Sequence, residues 1–274
     1  MNTRLRTAVV TGGGHGIGRA LCHRLSQENC DIVVADIEES AARTVAEFVG
    51  GQAFTLDVGD ESQFSAFVSQ VEGEIGPIDL FVSNAGVGFG DAETSAASEQ
   101  GGLVACENRW EACWRVNVMA HVYAARELVP RMRARGGGFL VNVASAAGLL
   151  SQIGDAAYSA TKHAAVAFAE SLAITHGEQG IHVSVVCPQA VATRMIGIED
   201  DSELREGGFG GNDVDGILSA DAVAECIVEG IDERRFLILP HSQVATYFQR
   251  KANDHDRWIS GMQRFQRKLS AKES

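Results

Sequence analysis

The sequence predicts an α/β fold: a single doubly wound, parallel sheet of seven strands with helices on both faces. Three observations lead there. Seven short runs are apolar throughout instead of alternating, as strands buried on both faces are. Amphipathic stretches of helical period separate them. The alternation shows no internal repeat and no interdomain linker, so 274 residues at 45% hydrophobic suit one large domain with a sizeable core.

Taken in order, the first strand is TAVVTG at 7–12, followed by the helical GRALCHRLSQEN at 18–29. DIVVAD at 31–36 and ESAARTVAEFVG at 39–50 repeat the pair, as do AFTLDV at 53–58 and ESQFSAFVSQVEGEIG at 61–76. DLFVSNAG at 79–86 is the fourth strand, and one long amphipathic stretch runs from 107 to 135. GFLVNVAS at 138–145 precedes YSATKHAAVAFAESLA at 158–173, and HVSVVCP at 182–188 is the sixth strand. ADAVAECIVEGI at 220–231 and RFLILP at 235–240 complete the set. The expected domain spans 1–240. Within it, 196–216 is acidic, glycine-rich and poor in apolar residues, and is expected to be a mobile loop over the substrate. Residues 241–274 are expected to add one or two amphipathic helices to the same domain.

The formal net charge of −13 argues against nucleic acid or an anionic membrane as partner, because both require a basic face. Six cysteines (Cys22, Cys30, Cys106, Cys113, Cys187 and Cys226) form no Cys-x-x-Cys pair and no regular pattern with histidine. They read as reduced thiols in a cytoplasmic chain, with neither a metal site nor a disulfide framework. The polar N-terminus leads straight into a strand, and no apolar run reaches about 18 residues, so neither export nor membrane insertion is expected.

Two regions carry chemistry. After the first strand comes TGGGHGIG, in which Gly12, Gly16 and Gly18 are spaced Gly-x-x-x-Gly-x-Gly. Glycines here permit a tight strand-to-helix turn and a close approach of backbone to a pyrophosphate, facing the positive end of a helix. Gly14, His15 and Ile17 share the loop. A glycine-rich turn alone can be only a turn; its place between first strand and first helix points to a Rossmann nucleotide site. Asp36 ends the second strand about twenty residues on, where an acid accepts from ribose hydroxyls and repels a 2′-phosphate. That favours NAD over NADP. Asp57 and Val58 end the third strand, on the adenine side, and Asn84, Ala85 and Gly86 end the fourth beneath a ribose.

The second region is YSATK. On a helix, Tyr158 and Lys162 at i and i+4 share a face, and an opposite charge within a few ångström lowers an acid's pKa by about 1–3 units. Lys162, helped by the positive nicotinamide ring of bound NAD⁺, is therefore expected to bring the Tyr158 phenol toward working pH. Such a pair can also be an ordinary surface contact, and a serine after a strand only a cap.

Together and in order, TGGGHGIG, Asp57, Asn84-Ala85-Gly86, Asn117 in RVNV, Ser145 in NVASAAG and Tyr158-Ser159-Ala160-Thr161-Lys162 resemble the short-chain dehydrogenase/reductase family in its single-domain form, from about Arg6 to Pro240. The thirteen residues between Ser145 and Tyr158 are that family's spacing. The resemblance implies an NAD(P)-dependent alcohol dehydrogenase or ketone reductase. Tyr158 is then the acid/base, and Ser145 the donor to the substrate oxygen. Lys162 holds the nicotinamide ribose, and Asn117 supports a water connecting Lys162 to solvent. Pro188, Val191 and Thr193 complete the cofactor site, with Thr193 at the carboxamide position. It also implies a homo-oligomer, dimer or tetramer.

One departure is Gln189, where the family usually has glycine after Pro188. Gln189, Ser145, Ala147, Gln152 and Met195, with Val191, Phe209 and residues 87–89, are the expected pocket walls. They are mainly apolar, which favours a lipophilic cyclic or aryl secondary alcohol or its ketone. The competing readings are an NADP-linked reductase and a non-catalytic NAD sensor. A serine hydrolase lacks its Gly-x-Ser-x-Gly.

Overall fold

A computed structural model describes residues 5–89, 107–198 and 215–270. Its centre is one parallel sheet of seven strands: β1 (Thr7–Thr11), β2 (Asp31–Asp36), β3 (Gln52–Thr55), β4 (Leu80–Ser83), β5 (Gly138–Val143), β6 (Ile181–Val186) and β7 (Leu237–Ile238). They lie in the order β3-β2-β1-β4-β5-β6-β7. The chain moves outward from β1 to one edge, returns to β4 and proceeds to the other edge. Adjacent strands β1 and β4 thus diverge in their connections, which opens a crevice at their carboxyl ends.

β1 and β5 are buried along their whole length because both sheet faces are covered. One face carries α1 (Gly16–Ser26), α2 (Glu39–Val49) and α8 (Ala220–Asp232), packed in a core with Val10, Val34 and Val82. The other carries α3 (Glu61–Glu74), α5 (Ala120–Ala134) and α7 (Ala156–His176), packed around Val9, Phe81 and Leu140. Phe64 and Phe81 are among the largest fully buried side chains there, their ring centroids 5.7 Å apart.

The structure corrects several expected boundaries. The third strand stops at Thr55 and the last covers only Leu237–Ile238, each pairing with one neighbour at an edge of the sheet. The stretch 107–135 is not one uniform helix. It comprises α4 (Glu107–Trp114), a π-helical turn at Arg115–Met119, and α5, with Asn117 inside the π turn. Such turns recur at functional sites because the wider winding redirects side chains. The extension forms two helices, α9 (Gln243–Asn253) and α10 (His255–Ser270). Val244 of α9 is fully buried in the core of the α5 face, with Tyr247 and Trp258 packed against it. Most of the loop expected at 196–216, including Phe209, lies outside the described residues, as does Cys106. Among the described residues no helix is long and apolar enough to cross a membrane.

Candidate active site

The glycine loop closes tightly because its glycines have no side chain to collide. A Cβ on Gly18 would stand 2.0 Å from the Gly12 carbonyl oxygen, and one on Gly12 2.9 Å from the Ala85 Cα. Gly12 and Gly16 take φ of 62° and 48°, which glycine adopts without strain. Asn84 fastens the ends of β1 and β4 together: its Nδ2 donates to the carbonyls of Thr11 (2.9 Å) and Gly12 (3.2 Å). α1 begins at Gly16, so its N-terminus faces the crevice, and Thr193 closes over it, since a Cβ at Gly16 would meet the Thr193 Cγ2 at 2.8 Å.

Asp36 is buried, at 8% exposure, at the end of β2. One carboxylate oxygen accepts from the Gly14 N–H (2.9 Å) and the other from the Glu38 N–H (3.0 Å). It therefore shapes the glycine loop itself, with lone pairs remaining for a ribose. Asp57 is committed in a similar way, accepting from the Gly59 N–H at 2.9 Å, and Val58 is buried beside it. At the mouth, His15 Nε2 lies 3.1 Å from Glu38 and 3.0 Å from Arg194 Nη1, while Arg194 and Glu38 are 3.7 Å apart. Sequence reading missed this cluster because its three members come from three separate segments.

The reactive groups meet at the carboxyl ends of β4 and β5. Gly86 runs beside two of them: a Cβ there would lie 3.3 Å from Lys162 Nζ and 3.4 Å from Asn117 Oδ1. Asn117, fully buried, accepts from the Val87 N–H (2.9 Å) and donates to the Val87 carbonyl (2.9 Å) and Thr161 Oγ1 (3.1 Å). Lys162, 3% exposed, donates to the Val143 carbonyl at 3.0 Å, and its Nζ stands 5.5 Å from the centre of the Tyr158 ring. Ser145 follows β5 after Ala144; its hydroxyl accepts from the Ala147 N–H at 3.1 Å, donates to the Pro188 carbonyl at 3.4 Å, and lies near enough to the Tyr158 phenol to lower its pKa.

Asp155, which the sequence reading passed over, caps α7. Its Oδ1 accepts from the Tyr158 N–H (2.9 Å) and its Oδ2 from the Phe89 N–H (3.2 Å), so one carboxylate sets both the tyrosine's turn and the facing loop. An acid three residues before the helix's reactive tyrosine is the capping signal that could have found it.

Burial pushes the Tyr158 phenol up to about 12, against the hydrogen bond from Ser145, which pulls it down, and Asp155 adds to the rise. Lys162, whose Nζ donates to the Val143 carbonyl, is not among the causes of that shift. Burial also brings Lys162 down to about 8. The nearby thiols Cys113 and Cys187 are pushed up by burial, to about 11 and about 12.

The expected pocket walls divide. Ala147 is buried at the start of the short helix α6 (Ala147–Leu150), and Met195 is half exposed in the short turn Arg194–Ile196. The Gln152 N–H donates to Ser159 Oγ at 2.7 Å, fixing Gln152 to the first turn of α7. Pro188 accepts at its carbonyl from the Ala146 N–H (2.7 Å), and Val191 pairs with Leu218. The Gln189 N–H donates to His241 Nδ1 at 3.2 Å, while its side-chain oxygen is buried with no partner among the described residues. His241, beyond the expected domain end, thereby holds the turn after β6.

The residues fit a dinucleotide: the glycine cradle leaves room for a pyrophosphate, Asp36 stands at the ribose end, and Lys162 lies beside Gly86 at the other. Comparison with known proteins agrees. The pattern of the short chain dehydrogenase family matches residues 6–203. The 1-deoxy-11-beta-hydroxypentalenate dehydrogenase of Streptomyces exfoliatus is 33% identical over 266 residues, 95% of this chain and 92% of that one. The D-beta-hydroxybutyrate dehydrogenase of Rhizobium meliloti is 27% identical over 265 residues, 93% and 95% of the two chains. Among solved structures, a short chain dehydrogenase/reductase from Burkholderia phymatum in complex with NAD superposes with a TM-score of 0.78 at 28% identity, over 93% of this chain and 96% of that one.

Proposed function

The chain belongs to the short-chain dehydrogenase/reductase family and is an NAD(P)-dependent oxidoreductase of hydroxyl groups; from that premise we propose that it interconverts a lipophilic, cyclic or aryl-substituted secondary alcohol and its ketone, using NAD in preference to NADP. The observation that carries the reading is the convergence of Lys162 and Asn117 at Gly86 with Tyr158 at Gly88, Lys162 Nζ lying 5.5 Å from the Tyr158 ring centre and Ser145 near enough to the phenol to lower its pKa.

When bound, the nicotinamide supplies the hydride acceptor or donor and, oxidised, a positive charge. The chain supplies the rest. Tyr158 takes the proton from the carbinol oxygen in oxidation and returns it to the ketone oxygen in reduction. Ser145 donates to the same oxygen and stabilises its developing charge. Lys162, its pKa brought down by burial to about 8, favours an ionised phenol when protonated. Asn117 holds Val87 rigid and with it the wall opposite Tyr158. The Asp36 carboxylate disfavours a 2′-phosphate. The buried Ala144, Ala146, Ala147, Leu149 and Leu150 that flank Ser145 support a lipophilic substrate.

The test is formation of NADH or NADPH by purified protein with NAD or NADP, respectively, and a panel of aliphatic, cyclic, aryl, steroid and carboxylated secondary alcohols. Turnover with NAD and cyclic or aryl alcohols is expected. Turnover confined to carboxylated or phosphorylated alcohols would reject the substrate class, and preference for NADP the cofactor choice.

A further inference from the structure

The C-terminal helix α9 comes within reach of the segment that carries the reactive groups. Val244, Tyr247 and Lys251 stand at i, i+3 and i+7, so they share one face of that helix. Val244 is fully buried in the core, and the Tyr247 hydroxyl donates to Asp215 at 2.8 Å. These contacts seat α9 and bring Lys251 to α6 and α7. The Lys251 Nζ donates to the Leu149 carbonyl at 2.6 Å and lies 3.3 Å from His163 Nε2. The other ring nitrogen, Nδ1, is 2.8 Å from the Ser159 carbonyl. A carbonyl only accepts, so Nδ1 carries the hydrogen and Nε2 offers its lone pair to the ammonium. One cation thus joins the end of α6, through His163, to the first turn of α7.

α6 is a single turn, tied to the site along its length. At its start the Ala147 N–H donates to the Ser145 hydroxyl at 3.1 Å, and the Gly148 N–H to the Ser145 carbonyl at 2.9 Å. Its middle packs directly on α7, where a Cβ on Gly148 would stand 2.5 Å from the Lys162 carbonyl oxygen. At its end the Leu149 carbonyl is the kind of terminal group that a lysine satisfies. Any drift of α6 away from α7 carries Ser145 with it, and Tyr158 lies on α7. We propose that Lys251 is a positioning residue for hydride transfer: by locking α6 to α7 it fixes the Ser145 hydroxyl against the Tyr158 phenol, so that both meet the same substrate oxygen. This rests on the reading of Tyr158 as acid/base and of Ser145 as donor. A misplacement of about 1 Å, caused far from the chemistry, can cost about 10²-fold in rate. Lys251 need touch neither substrate nor cofactor to have that effect.

The experiment uses the full-length protein with three substitutions. Lys251→Met keeps the stem without the charge, Lys251→Arg keeps a donor, and His163→Leu cuts the tie to α7 without altering α9. In Lys251→Met, kcat is expected to fall about tenfold with NAD affinity unchanged; Lys251→Arg should regain most of the rate, and His163→Leu should lose less. A contact that only stabilises the fold would act independently of Ser145, so Lys251→Met is repeated in Ser145→Ala. There its effect should shrink to less than about twofold. An equal loss in both backgrounds would overturn the proposal, as would unchanged kcat in Lys251→Met and His163→Leu. His163→Leu carries the same comparison where Lys251→Met does not fold. Hydrogen exchange judges the lock apart from activity: faster exchange of the amides at 147–151 in Lys251→Met supports it, and unchanged exchange rejects it. Absence of turnover by the wild type on every alcohol would instead reject the functional reading, with hydrogen exchange still deciding the lock.

Discussion

Tyr158 is the residue where competing effects can be ranked. Burial raises its pKa, Asp155 raises it further, and the Ser145 hydrogen bond lowers it, with burial largest. Tyr158→Phe keeps the ring's packing and removes only the proton carrier. It should lower kcat for alcohol oxidation by at least about 10²-fold with NAD affinity unchanged by fluorescence titration. Because oxidation requires the ionised phenol, kcat/KM should still be rising with pH above neutrality. Asp155→Asn retains an oxygen to cap α7 and removes a negative charge beside the phenol. The ionised phenol then becomes easier to form, and the rising limb should move to lower pH. An unmoved limb in the pH profile would detach Asp155 from the acid/base.

At the scale of elements, the π turn at Arg115–Met119 matters most. It directs the Asn117 amide toward Val87, so the loop after β4 is tied to the helix that crosses beneath it. Asn117→Ala leaves the Val87 N–H and carbonyl without those partners. The expected cost is about 1–3 kcal/mol in denaturant unfolding, with a fall in kcat that exceeds any change in KM for NAD. The glycine turn makes a second prediction. A Cβ at Gly18 would collide with the backbone of Gly12, which no side-chain rearrangement can relieve. Gly18→Ala should therefore weaken NAD binding far more than a substitution at Gly73, whose Cβ would meet nothing within 4 Å; calorimetric titration measures both.

For the whole molecule, two buried bases tie stability to pH. His121 has a folded pKa of about 3 against 6.5 unfolded. Between those values the unfolded chain binds the extra proton, so stability is lost as pH falls from 6.5 toward 3. Lys162 is about 8 folded against 10.5 unfolded, so its buried charge penalises the fold below pH 8 and stability rises from pH 8 to 10.5. His121→Leu should flatten the acid limb and Lys162→Met the alkaline one, read from unfolding midpoints against pH.

The β-α alternation, the seven strands and their parallel pairing were legible in the sequence, because strands buried on both faces must be apolar throughout. The glycine turn and the Tyr158–Lys162 pair were legible for the same kind of reason: each depends on positions a few residues apart, where backbone geometry fixes the relation. Only the tertiary structure decided that Asp36 braces the Gly14 amide, that His241 holds the turn at Gln189, and that Arg194, His15 and Glu38 meet at the mouth of the crevice. These contacts join residues 22, 52 and up to 179 positions apart. The balance of forces on Tyr158 was likewise invisible. Desolvation depends on what surrounds a group from every direction, whereas a local sequence names only its neighbours along the chain.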